Sequence, residues 1–267
     1  MKNLLFTFAC TLLLILAGIG PVTAQDQENG EWIDLFNGEN LDNWIIKFAG
    51  YPVGENFNNT FRVEDGLLTA SYDEWDQWDS QFSHIFYNQS FSHYILRVEY
   101  RFVGDQVEGG PGWAFRNNGL MLHSQHPETM TLDQSFPVSI ETQLLGGNGT
   151  DERTTLNTCT PGTNIVMDGE LITQHCISST SQTYHGDQWV TVEIEMRGSE
   201  VVRHKIDGEV VFEYTNPQLD TEDADAQHLM EVENIDPDNL LIDQGYISLQ
   251  AESHPTQFRS IQVMVLE

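Results

Sequence analysis

Positive charge is scarce in this chain. Eleven Lys and Arg stand against 41 Asp and Glu among 267 residues, for a net charge of −30. So negative a molecule is repelled by phosphate backbones and anionic lipid, so nucleic acid and membrane surfaces are poor partners for it. The acid is dispersed, apart from Asp220–Asp225 and Glu231–Asp238, and reads first as a solubility and salt-tolerance device. Cysteine is also sparse: there are three, none in a C-x-x-C pair. H-E-x-x-H and EF-hand spacings are missing, so no metal follows from spacing, although a Glu/His/Gln cluster could hold one. G-x-S-x-G and P-loop motifs are absent as well, which removes two common chemistries.

A long hydrophobic run occurs once. Lys2, the apolar stretch Leu4 to Ile19 and the exit Pro21-Val-Thr-Ala24 predict a secretory signal peptide cleaved after Ala24. The stretch is too short and too near the terminus to favour a membrane span. Cys10 lies inside it and no cysteine marks its exit, so a lipid anchor is not indicated. Residues 25–267 are then expected to form one secreted or periplasmic domain, free of membrane after cleavage. In an oxidising compartment Cys159 and Cys176 are most simply one disulfide pinning a long excursion.

Helical periodicity is likewise scarce. Short alternating runs separated by Gly, Asn, Asp and Pro dominate, which predicts an all-β, two-sheet antiparallel sandwich. Strands are expected at 32–36, 61–64, 67–72, 94–103, 119–124, 138–145, 164–167, 189–197, 201–206, 209–214, 245–251 and 258–266. Asp65-Gly66 and Asp207-Gly208 are the strongest hairpin signals, with Arg197-Gly198-Ser199 a third. Residues 75–89, 104–118, 150–183 and 216–244 are expected as long connections.

Three strands carry polar side chains at alternate positions. These are His123 and Gln125 after Leu122, Glu141 and Gln143, and Gln250 and Glu252. Stacked in one sheet they would line a polar floor suited to sugar hydroxyls; a solvated convex face is the plainer alternative. His254 follows beside Pro255, and His185 also flanks a strand end. Trp75, Trp78 and Trp113 fall in loops, where they either stack on sugar rings or pack beneath the loops.

Several short motifs follow one another in order: Ile33-Asp-Leu-Phe-Asn-Gly through Trp44, Phe61-Arg-Val-Glu-Asp-Gly-Leu-Leu68, His93 to Phe102, Asn118-Gly-Leu-Met-Leu122, Ile140-Glu-Thr-Gln-Leu144, Gly186-Asp-Gln-Trp189, Ile206-Asp-Gly-Glu-Val210 and Leu249-Gln250 through Phe258-Arg-Ser-Ile261. Their order resembles the 3-keto-disaccharide hydrolase domain family. The resemblance implies a concanavalin A-like jelly roll that cleaves glycosides oxidised to a ketone at C3, by proton abstraction at C2, elimination and hydration. Departures stand out: His123 replaces a common arginine, Ala251-Glu252 replaces a common Asp-His, and the Cys159/Cys176 insertion looks like a subgroup feature. The expected catalytic groups are Glu141, Glu252, His123 and His254. Gln125, Gln143, Gln250, His185 and Trp113 are expected to bind an oligosaccharide or glycoside substrate. No organic cofactor is expected, and a divalent metal stays open. A non-catalytic carbohydrate-binding module is the alternative. An ordinary glycosidase is disfavoured because the acidic E-x-D-x-x-E pattern of laminarinase-like jelly rolls is missing.

Overall fold

The computed structural model describes residues 30–266, so the leader expected over 1–24, with Cys10, lies outside the described residues. The strands are β1 (Trp32–Asp34), β2 (Trp44–Phe48), β3 (Phe61–Glu64), β4 (Leu67–Ala70), β5 (Ser83–Phe91), β6 (His93–Phe102), β7 (Asn117–Ser124), β8 (Ile140–Leu145) and β9 (Asn157–Cys159). They continue with β10 (Thr163–Met167), β11 (Glu170–Ile172), β12 (Cys176–Ile177), β13 (Val190–Arg197), β14 (Val201–Ile206), β15 (Glu209–Leu219), β16 (Gly245–Ala251) and β17 (Thr256–Val265). One helix, α1 (Ala224–Val232), precedes β16.

Two antiparallel sheets result. The first runs β11-β10-β15-β14-β13-β6-β17-β4-β3, with β1 on β17; the second runs β12-β9-β8-β7-β16-β5-β2. Between them lies the core, where Tyr94, Leu96, Val98, Val192, Ile194, Ile261 and Val263 meet Leu120, Leu122, Ile140, Leu144, Ile247 and Leu249. These positions alternate along their strands, which is why hydrophobic period predicted them. Asp65-Gly66 and Asp207-Gly208 turn as expected, each with both residues at positive φ (51° and 78°; 53° and 80°).

Several elements differ from expectation. Strand β5 falls mostly within a stretch read as a connection, because its first four residues are buried on both faces and do not alternate. The 125–138 loop covers the outer side, with Phe136 against His84 and Leu132 accepting from the Gly50 amide and the Lys47 ammonium. The 150–183 connection contributes β9 to β12. The acidic 216–244 segment contains α1, whose cap is Asp223, accepting from the amides of Asp225 and Ala226. Part of that acid is therefore local helix chemistry.

The few basic side chains are consumed by the fold. On the outer face of the larger sheet, the buried Glu195 receives Arg197, Arg203 and Lys205, and Arg101 and Arg259 flank the Trp189 ring at 4.5 Å each. Arg97 covers Trp32, Arg62 meets Glu64 and Asp73, and Arg116 meets Asp187. Lys47 is 2% exposed and bonds main-chain carbonyls of Phe48 and Leu132.

Candidate active site

The three polar strands do lie side by side, as β8-β7-β16. Their register sets Ser248 opposite Met121, Met121 opposite Glu141 and Glu141 opposite Cys159. In the next row Gly119 faces Gln143, which faces Asn157, while Gln250 pairs with His84 on β5. Continuing that register brings Gln250 across from Gly119 and Glu252 beside Asn117. All these side chains leave the sheet away from the core.

Gly119 is the centre of this floor. A Cβ there would collide with Oε1 of Glu141, so the missing side chain is what lets the carboxyl lean inward. Glu141 and Glu252 border a cavity of about 380 Å³, whose other walls include Asn117, Gln143, Phe136, Trp113 and the Cys159–Cys176 disulfide. That disulfide links directly opposed residues of β9 and β12 and closes the excursion between them, as expected.

Both carboxyls are buried, at 6% and 2% exposed, and both bind their protons more tightly than usual. Burial alone pushes Glu141 up to about 8. Burial and then the Glu141 charge push Glu252 well above the carboxylate range, against the pull of Arg153. Arg153 does not reach either carboxyl by hydrogen bond; its guanidinium donates to the carbonyls of Phe115, Gly146 and Trp113. The sign for stability follows. The folded chain holds the Glu141 proton more firmly than the unfolded one, so that contribution is full below pH 4.5 and is lost as pH rises through about 8. Over that window the stability of the parent relative to Glu141→Gln should fall by about 1.4 kcal/mol per pH unit, read from urea unfolding. Parallel curves for the two proteins would contradict the assigned burial effect.

The expected histidines do not join the floor. His123 sits at a β-bulge where the β7–β16 register shifts, with φ of 44°, and its side chain turns away. Its ring packs on Tyr94, with Nε2 3.1 Å from the Ser92 carbonyl and Nδ1 3.3 Å from that of Ile242. Burial lowers it to about 4, so it is a neutral structural imidazole. His254 is displaced for a related reason. Ser253, at φ 81°, breaks the alternation, and His254 is enclosed between Phe102 and Phe115. Burial, then the charge of Arg116, lowers it to about 4.

Gln125 is also taken out of the site. Its Oε1 accepts from Gln134 and the Val138 amide, and its Nε2 donates to Thr129, so it fastens the 125–138 loop. His123 and Gln125 border a separate depression with His126, Tyr246 and Ile242. His185 is exposed, accepts from the Gly149 amide at 3.0 Å, and is not among the cavity walls. The residues brought together are Glu141, Glu252, Gln143 and Trp113 at the cavity, with Gln250 on the same face of the floor. Trp113 is 55% exposed at the rim and stacks on Phe82, whereas Trp75 and Trp78 are packed in the core.

Sequence reasoning missed Gly119, Asn117, Phe136 and Arg153. Only Gly119 had a legible signal, since a glycine inside an alternating strand marks a close approach.

Known proteins bear on this geometry as follows. A provisionally named glycosyl hydrolase from Parabacteroides distasonis superposes with a TM-score of 0.50 at 16% identity, covering 88% of this chain and 100% of its own. A Bacillus subtilis protein of unknown function with a galectin-like fold gives 0.51 at 10% identity, covering 85% and 92%. The β-glucanase of Bacillus licheniformis gives 0.46 at 12% identity, covering 89% and 98%. At such identities the two matches at 0.50 and 0.51 bear on the fold alone, and they agree with a two-sheet jelly roll. No curated protein sequence matches the chain. The model of the 3-keto-alpha-glucoside-1,2-lyase-like domain matches residues 31–264, and the chain belongs to that family.

Proposed function

We propose that this protein is an exported hydrolase of 3-keto-glycosides. The observation that carries the reading is the pair of buried carboxyls, Glu141 and Glu252, on the floor of a cavity with an exposed tryptophan at its rim. A ketone at C3 acidifies the proton at C2. Glu141, raised by burial to about 8, takes that proton in its ionised form, while burial and the Glu141 charge favour the protonated form of Glu252, the donor. The C2–H electrons become an enediolate; the C1–O bond then breaks and the departing oxygen receives a proton. Water adds across the resulting double bond, so the net reaction is hydrolysis. In this reading Gln143 at the cavity and Gln250 on the same floor bind hydroxyls, and Trp113 stacks on a sugar ring. The disulfide fits an oxidising compartment and supports export.

A second reading, a binding module, is favoured by the exposed Trp113. Incubation with a 3-keto-disaccharide separates the two. Release of free sugar is expected, and retention in a glycan affinity gel without any release would replace the enzyme by the module.

A further inference from the structure

The floor holds a group of buried oxygens without partners, two of them on the Gln250 and Glu252 side chains already given roles above. Oδ1 of Asn117, Oε1 of Gln250 and Oε2 of Glu252 are all buried without a hydrogen-bond partner. Their residues are 3%, 1% and 2% exposed. Gln250 lies in β16 and Glu252 one residue past its end, about 7 Å apart along the backbone and on the same face. Asn117 lies beside Glu252 where the β7–β16 register is continued, and the Glu141 carboxyl fills the space over Gly119 next to Gln250. A buried oxygen without a donor is costly, and three in one patch accumulate that cost.

We propose that Asn117, Gln250 and Glu252 bind a hard divalent cation through these three oxygens. The donor set is all oxygen, one carboxylate and two amide carbonyls, which suits Ca²⁺, Mg²⁺ or Mn²⁺ and disfavours thiophilic metals. Three protein ligands leave positions for water or for oxygens of a sugar. Glu141, whose carboxyl leans over Gly119, keeps its role as the base. The inference rests on the proposed reaction in one respect: the cation would replace the Glu252 proton and face the enediolate oxygen, and the departing oxygen would receive the proton that Glu141 took from C2. Arg153 opposes it, because its charge acts on Glu252, so affinity without substrate should be modest, about 0.1–1 mM.

The test is Mn²⁺ binding to the chelator-treated full chain, followed by electron paramagnetic resonance in about 150 mM NaCl to suppress diffuse binding to the acidic surface. Competition by Ca²⁺ and Mg²⁺ ranks the cations. One saturable site per chain is expected, weakened at least tenfold in Gln250→Leu and in Glu252→Gln, and unchanged in Glu209→Gln, an exposed residue of β15. Equal affinity in all three variants, or no saturable site, overturns the proposal. Should either floor variant fail to fold, Asn117→Leu replaces it with the same expectation. Turnover of a 3-keto-glycoside that persists undiminished in excess chelator removes the cation and leaves the reaction standing. A cation bound through these residues without any such turnover removes the reaction and leaves the site.

Discussion

Glu141→Gln should lower turnover of a 3-keto-glycoside by about 10²–10⁴-fold, the range that a positioned general base contributes. The substitution keeps shape and removes only the ability to accept the C2 proton. It should also melt no lower than the parent near pH 7, because the amide needs no proton taken up on folding, whereas buried Glu141 takes one up at that pH. Stability without activity is the signature sought: a catalytic group retained at the expense of the fold. The measurements are progress curves for free sugar and thermal unfolding on the same preparation. Turnover within threefold of the parent would remove Glu141 from the reaction. A lower melting temperature together with lost turnover would make it a packing residue instead.

Replacing both Cys159 and Cys176 by serine should cost about 3 kcal/mol, since the bond spans 17 residues and restrains the unfolded chain accordingly. For a domain of this size that is a drop of about 6–12 °C in melting temperature. The loss should extend to substrate affinity. Cys159 lies directly opposite Glu141, and the hairpin that the bond closes carries Pro161 and His175 to the cavity wall. Differential scanning calorimetry of the double variant, beside the parent in reductant, checks both the size and the cause. A shift under 2 °C would mean that β9 and β12 are held by the sheet alone.

What the sequence made legible depended on whether period 2 survived along the strand. Glu141, Gln143 and Gln250 were placed on one face because β8 and β16 alternate without interruption there, and Leu120, Leu122, Ile247 and Leu249 fell to the core for the same reason. The register shift at His123 and the positive φ of Ser253 each rotate the following side chain out of the pattern. Neither leaves a mark in composition, so His123 and His254 looked like site residues by proximity alone. Gln125 was lost to a different cause, a tertiary one: the loop to Val138 needed a fastening point, and its amide supplied both donor and acceptor. Strand β5 was hidden because a covering loop erased its alternation.

The consumption of basic side chains has a practical side. Apart from Lys2, the side chains that carry primary amines are those of Lys47 and Lys205. Lys47 is enclosed, and Lys205 is the partner of Glu195, 2.5 Å away. Of these two, reagents that couple to amines, whether dyes, biosensor surfaces or cross-linkers, would reach Lys205 and disturb the charge cluster at Glu195. Carboxyl-directed coupling has the opposite character, with many exposed acids spread over the surface. Immobilisation through a terminal tag leaves both the cluster and the floor untouched.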